Sequence, residues 1–100
     1  MSTRVSILIG LTVAIMATPG FAYTGVQYAK QARITLKDAR EIALKARPGT
    51  ITGQELERES GGSGLRYSFD IKSGGVVYEV GIDAKTTYVL ENKKEGSNPD

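Results

Sequence analysis

Residues 65–83 read LRYSFDIKSGGVVYEVGID and determine the fold. Apolar side chains occupy every second position on both sides of residues 73–75, which is the spacing of two strands that each present one apolar face. Residues 73–75 form a short glycine turn of the kind that closes a hairpin. The apolar face consists of Leu65, Tyr67, Phe69, Ile71, Val76, Tyr78, Val80 and Ile82. The opposite face is expected to be wet and carries Arg66, Ser68, Asp70, Lys72, Val77 and Glu79.

A further strand is predicted ahead of the hairpin, over about Ile51–Glu59. In this run Ile51 and Leu56 stand at positions of opposite parity, so a regular strand would direct one of them away from the core. Gly53 lies between them and is expected to mark a β-bulge, which would restore both side chains to the core. The glycine-rich stretch 60–64 then leads into the hairpin.

A last, short strand is predicted through residues 87–90, after a turn at residues 83–86. The apolar pattern leaves open which of Tyr88 and Val89 points inward. Residues 93–100 are polar, and we interpret them as a tail.

A helix is predicted upstream of all the strands. Thr35 can accept a hydrogen bond from the amide of Asp38, whose negative charge also suits the first turn of a helix. Pro48 and Gly49 end the helix, and residues 23–33 before it show no clear period, so we interpret them as a loose arm. Apolar residues recur at helical spacing and form one stripe, composed of Leu36, Ala39, Ile42, Ala43 and Ala46.

One amphipathic helix and a sheet with a single apolar face predict an α+β fold. The N-terminal helix packs on one face of a four-stranded antiparallel β-meander, and its alanine-rich stripe allows a close approach. The chain has 100 residues, of which 40% are hydrophobic and 24% charged, and this length provides for one domain. We place that domain at residues 34–92.

Histidine, cysteine and tryptophan are absent from the sequence. Their absence excludes disulfides, thiol catalysis, histidine-based metal sites and histidine general bases. The serines carry no motif of a catalytic nucleophile, and a net charge of +2 is too small to favour bulk nucleic-acid binding. We therefore predict no catalytic residues, no cofactor, no metal and no nucleic-acid partner, and a protein remains the expected partner.

Residues 1–22 have the features of a secretory signal peptide. Their apolar run, residues 5–17, is too short to cross a bilayer core of about 30 Å at about 1.5 Å per residue. Gly20 and Ala22 provide small residues at the two positions that signal peptidase recognises, so cleavage is predicted after Ala22, with Ala17 as a second candidate. The alternative is an uncleaved anchor or a buried helix. We expect a periplasmic or secreted protein without stable membrane insertion.

Four pieces of the sequence follow the order found in a known family. They are LKDAREIAL at residues 36–44, RPG at residues 47–49, ELERE at residues 55–59 and YEVGIDAKT at residues 78–86. Over residues 34–91 the chain resembles the PepSY domain, named for peptidase propeptides and the YpeB protein. The family usually has glycine after the last piece, where this sequence has Thr87.

The resemblance implies a non-enzymatic module, here a small exported stand-alone member of the family. In thermolysin-type metalloproteases the PepSY domain lies in the propeptide, which restrains the enzyme and helps it to fold. Small exported members are thought to restrain proteases or to bind other envelope proteins. The implied function is regulation or inhibition of an envelope protease. The alternative is a sensory or structural envelope protein that binds a sensor kinase ectodomain or an assembly partner. The family has no agreed catalytic residues, so none is assigned.

Charge is divided unevenly along the mature chain. Residues 23–47 carry six basic and two acidic side chains, a net charge of +4, and residues 48–100 carry six basic and nine acidic, a net charge of −3. Glu55, Glu57 and Glu59 fall on one face of their predicted strand, about 6.6–6.8 Å apart at each step. A straight strand cannot converge them on one cation, so we interpret them as a solvated face that guards the strand against edge pairing.

Overall fold

The computed structural model describes residues 22–96, which contain one α-helix, one short 3₁₀ helix and four strands. The elements, in chain order, are the 3₁₀ helix Val26–Gln31, α1 Leu36–Ala46, β1 Thr50–Arg58, β2 Leu65–Ser73, β3 Val76–Asp83 and β4 Val89–Lys94. The strands pair in the order β1-β2-β3-β4, and every neighbouring pair is antiparallel. The predicted fold class, a helix on one face of a four-stranded meander, is confirmed. The predicted signal peptide lies outside the described residues except for Ala22.

Helix α1 begins and ends where the sequence predicts. The Asp38 amide donates to Oγ1 of Thr35 over 3.1 Å, which caps the first turn. The helix ends at Ala46, just ahead of Pro48. Its buried residues are Leu36, Ala39 and Ala43, so small side chains bring the helix close to the sheet.

The central hairpin provides most of the core. Leu65, Tyr67, Phe69, Ile71, Val80 and Ile82 are all buried, as predicted. The Tyr67 hydroxyl donates to the carbonyl of Ile34 over 2.9 Å, which satisfies the buried polar group. Burial raises the pKa of this hydroxyl, with smaller contributions from Tyr23 and Asp38, so it remains protonated and can donate.

The predicted bulge in β1 is present. The pairing of β1 with β2 shifts between Ile51 and Gly53, which leaves Thr52 as the extra residue. Leu56 is buried, and the half-buried Ile51 packs against the same core. The bulge therefore places both side chains on the face that α1 covers.

Strand β4 differs from the prediction at both ends. It begins two residues later than expected, and Lys93 and Lys94, predicted to open the tail, belong to it. Neither Tyr88 nor Val89 points inward, since they are 71% and 46% exposed. A second register shift, at Leu90, explains the error. Ile82 pairs with Val89, whereas Gly81 pairs with Glu91, so Leu90 is an extra residue in β4. A pattern with strict period two cannot contain such a shift.

The prediction that residues 23–33 form a loose arm is wrong, because these residues pack on the domain. Residues Val26–Gln31 form the 3₁₀ helix, and Tyr23, Tyr28, Ala29 and Ala32 pack against the core. Thr24 forms a parallel bridge with Glu55, and its carbonyl accepts the Leu56 amide over 2.9 Å. A 3₁₀ helix of six residues has a tighter repeat than an α-helix and leaves no α-helical periodicity in the sequence.

The loops at one end of the sheet are joined through Asp83, whose side chain is fully buried. Its carboxylate accepts the amides of Ser63, Lys85 and Thr86 and the Ser63 hydroxyl, at distances of 2.6–3.0 Å. Burial by itself would raise the pKa of Asp83, but these hydrogen bonds outweigh it and hold the pKa well below its ordinary value. Gly62 lies against this carboxylate, and any side chain there would collide with it.

We expect Asp83→Asn to lower the free energy of unfolding by about 2 kcal/mol at neutral pH. The asparagine NH₂ group would replace one carboxylate oxygen and would then face an N–H or O–H donor from which it cannot accept a hydrogen bond. A depressed native pKa contributes stability above the unfolded-state value, about 3.9, and this contribution is lost as pH falls below it. The difference between wild type and variant should therefore narrow in acid. Urea titrations from pH 7 to pH 3 measure this, with Glu59→Gln as the surface control. A pH-independent difference would contradict the assignment.

Thr87 adopts a left-handed conformation, with φ of 70°. It is the position at which the resembling family usually has glycine. A β-branched residue there is strained by about 1–2 kcal/mol. Its amide donates to the Asp83 carbonyl over 3.1 Å, so the strained residue closes the turn before β4.

We expect Thr87→Gly to raise the free energy of unfolding by about 1 kcal/mol, because the strain relieved exceeds the entropy that glycine adds to the unfolded chain. Lys85 lies in the same turn but has no positive φ, so Lys85→Gly relieves no strain and should lower the free energy of unfolding. Thermal unfolding of the two variants checks the opposite signs. Equal destabilisation by both glycines would mean that Thr87 is unstrained.

Candidate protein-interaction face

The face of the sheet opposite α1 is rich in carboxylates. Alternation along the strands and the pairing register place them together, and we call this surface the acidic face. It carries Glu55, Glu57, Asp70, Glu79, Glu91 and Glu95. The surface is concave, with a cavity of about 600 Å³ whose lining is mainly polar and includes Ser68 and Lys93.

Arg66 corrects the prediction that this whole face is wet. Its residue is only 8% exposed. One guanidinium nitrogen lies 3.3 Å from Oε1 of Glu91 and the other donates to the Ser60 carbonyl over 3.2 Å. Two features create this burial: the loop 60–64 folds over the end of the face, and Gly81 has no side chain where the guanidinium lies. The other residues predicted on the wet face are half-buried, except Lys72, which is exposed.

Three carboxylates of the acidic face converge. Oxygens of Asp70, Glu79 and Glu95 lie within 4.8 Å of one another, and we call this group the carboxylate triad. Burial, followed by the charges of Glu91, Asp70 and Glu95, raises the pKa of Glu79, while Lys93 acts in the opposite direction. Within residues 22–96, no lysine or arginine forms an ion pair with the triad. The triad is therefore a concentration of negative charge that Lys93, the cross-strand neighbour of Glu79, offsets only in part.

The three glutamates singled out in the sequence do not form this cluster. Glu57 accepts the Ser68 hydroxyl over 2.6 Å, Glu55 accepts the Thr24 hydroxyl over 3.4 Å, and Glu59 is exposed. A Ca²⁺ ion takes six to eight oxygens, of which the triad offers one from each of three carboxylates within 4.8 Å of one another, and water would have to supply others. The geometry suits the ammonium or guanidinium group of one basic side chain, which three carboxylate oxygens can surround.

The two edges of the sheet differ. The arm covers the β1 edge: besides the bridge at Thr24, the Gln54 amide donates to the Ala22 carbonyl over 2.9 Å. No strand of the described chain pairs with the outer edge of β4. Of the two edges, as residues 22–96 form them, β4 is therefore the one at which a further strand can be added.

Three of the six basic side chains of residues 23–47 lie on α1, at Lys37, Arg40 and Lys45. Lys37 pairs with Glu41, four residues further along, over 3.3 Å on the exposed surface of the helix. Arg40 reaches Gln54 on β1, and Arg47 lies 3.7 Å from the ring centroid of Tyr78. Lys37 and Arg40 of α1, and Arg47 at its C-terminal cap, thus have partners on the helix and at the sheet margin.

Sequence reasoning missed the triad. Asp70 and Glu79 face each other because the hairpin turn fixes the register of β2 and β3, and that turn is evident in the sequence. Glu95 could not be placed, because the register shift at Leu90 is not visible in the apolar pattern.

A family model described as the peptidase propeptide and YPEB domain, PepSY, matches residues 33–92. Comparisons with curated proteins and with solved structures give no match. Across residues 22–96, no helix has the length and apolar character required to cross a membrane.

We expect Glu79→Gln to raise the free energy of unfolding by about 0.5 kcal/mol at neutral pH, because it removes a half-buried charge beside like charges. A raised native pKa means that the folded state holds this proton more tightly, so wild type gains stability as pH falls through the raised value. The advantage of the variant should therefore disappear near pH 4. Thermal unfolding between pH 8 and pH 4 checks this, with Glu59→Gln as the control. A loss of stability at pH 7 would show that Glu79 contributes a favourable interaction.

Proposed function

This chain belongs to the PepSY family, and on that premise we propose that it is an exported, non-enzymatic binding module that regulates or inhibits a protease of the cell envelope. Family membership carries the proposal, since PepSY domains are generally propeptide or regulatory modules and interact with proteases. The match covers the helix and nearly the whole sheet, from residue 33 to residue 92.

The acidic face and the free β4 edge support a role in binding. Helix α1 already covers one face of the sheet, so a partner has the opposite face and the β4 edge available. Added strands gain main-chain hydrogen bonds, and charge complementarity selects the partner. Carboxylates are present, but histidine and cysteine are absent from the sequence, so the usual nucleophile and base pairs of hydrolases cannot be assembled.

Export by the N-terminal segment belongs to the same proposal. Cleavage after Ala22 would leave Tyr23 as the first residue and retain the bridge of Thr24 with β1. The retained arm would then still cover the β1 edge in the mature protein. We propose that the mature protein acts in the periplasm or outside the cell.

The test is to purify the protein as the cell exports it and mix it with secreted and envelope metalloproteases. We expect a stable complex with at least one protease and slower cleavage of its substrate. N-terminal sequencing of the same preparation should give Tyr23. Glu79→Gln with Glu95→Gln removes charge from the acidic face and should weaken inhibition, whereas Glu41→Gln on the helix should not.

Unchanged proteolysis and no complex across the panel would contradict regulation of a protease. In-cell crosslinking from the acidic face distinguishes the alternative. A sensor kinase ectodomain or an assembly partner recovered without a protease would favour a sensory or structural role. Clean turnover in a hydrolysis screen would overturn the non-enzymatic assignment.

A further inference from the structure

The outer edge of β4 presents main-chain groups for a further strand. The Glu95 amide donates to the Val77 carbonyl over 2.8 Å, so the peptide groups of Glu95 face β3. In an antiparallel pair, alternate residues direct their N–H and C=O groups to opposite sides. The peptide groups of Asn92 and Lys94 therefore point outward, and no strand among residues 22–96 pairs with them.

This edge is distinct from the opposite one, which the chain covers itself. Thr24 forms a bridge with Glu55 at the β1 edge and accepts the Leu56 amide, and cleavage after Ala22 would retain both contacts. A natural sheet usually protects an exposed edge. Among residues 22–96 a backbone segment covers only the β1 edge, whereas β4 carries Lys93, Lys94 and a register shift at Leu90 but has no strand beside it.

The carboxylate triad lies beside that ladder. The peptide groups of Glu95 and Lys93 both face β3, and their side chains project onto the acidic face, where Glu95 joins Asp70 and Glu79. Lys93 is directed to Glu91, with Nζ 3.2 Å from Oε2, and forms no ion pair with the triad, so it offsets the charge of the triad only in part. A residue of an added strand that stands opposite Glu95 would project its side chain toward the three carboxylates.

We propose that β4 accepts an extended segment of a partner protein as a fifth strand, and that this segment has lysine or arginine opposite Glu95. This inference rests on the proposed function and specifies the edge and the chemistry of the partner. The residue two positions away, opposite Lys93, is neutral or acidic, because a second cation there would be repelled. Main-chain hydrogen bonds to Asn92 and Lys94 hold the segment, and the basic side chain selects it.

The test uses the exported protein labelled with ¹⁵N and two blocked, threonine-rich nonapeptides that differ only in a central lysine or glutamate. We expect the lysine peptide to shift the amide signals of Asn92 and Lys94 and to slow their hydrogen exchange. It should bind at least about fivefold more tightly than the glutamate peptide, since like charges are repelled from the triad. Equal binding of the two peptides, or shifts confined to α1 or β1, would overturn the proposal.

Two pairs of variants separate the main-chain and side-chain contributions. Lys94→Pro removes one outward N–H and should abolish peptide binding, whereas Lys94→Ala keeps the amide and should bind like wild type. Glu95→Gln should reduce the preference for lysine to within about twofold, and it keeps the proposal testable if Lys94→Pro does not fold. Unchanged selectivity in Glu95→Gln would exclude the triad as the selecting group.

Sedimentation of the peptide-free protein tests a second copy as the occupant. A dimer that Lys94→Pro converts to monomer would assign the edge to self-association and overturn the proposal. The outcomes also separate the two hypotheses. Protease inhibition without peptide binding would retain protease regulation and reject the β4 edge as the binding site. Peptide binding without an effect on any protease would retain the β4 edge and reject protease regulation.

Discussion

Four hydrogen bonds to the buried carboxylate of Asp83 hold together the end of the sheet on which the other features depend. They fix the loop 60–64 and the turn 83–87 relative to each other. The loop then covers Arg66, and the turn determines where β4 begins. The charge on Asp83 is stabilised by donors that the two loops supply, so neither loop could keep its conformation with an apolar residue at this position.

The helix and the sheet divide the surface between stability and binding. Ala39 and Ala43 let α1 lie close to the apolar side of β2 and β3, so that side is fully used for the core. The arm occupies the β1 edge in the same way. Within residues 22–96 the fold leaves the acidic face and the β4 edge uncovered, and these adjoin along the side chains of β4. A partner can therefore use main-chain and electrostatic contacts at once, without displacing any described element.

The sequence predicted those parts of the fold that depend on local chemistry or on strict alternation. The Thr35 cap, the hairpin turn and the bulge at Gly53 each have a signal within a few residues, and each is confirmed. Arg66 was misplaced because its burial requires the loop 60–64, the glycine at position 81 and Glu91 together. The arm was misread for a related reason, since its packing depends on contacts with β1 that no local period encodes.

The carboxylate triad has an unfavourable effect on the isolated domain. Burial and three neighbouring carboxylates raise the pKa of Glu79, which means that the folded state disfavours its charge at neutral pH. An amide at this position would avoid that cost with little change of shape. Lys93 opposes this shift but is paired with Glu91, so the described chain offsets the cost only in part. A basic group delivered along the neighbouring free edge would convert the repulsion into attraction, so the same feature would select the partner and stabilise the complex.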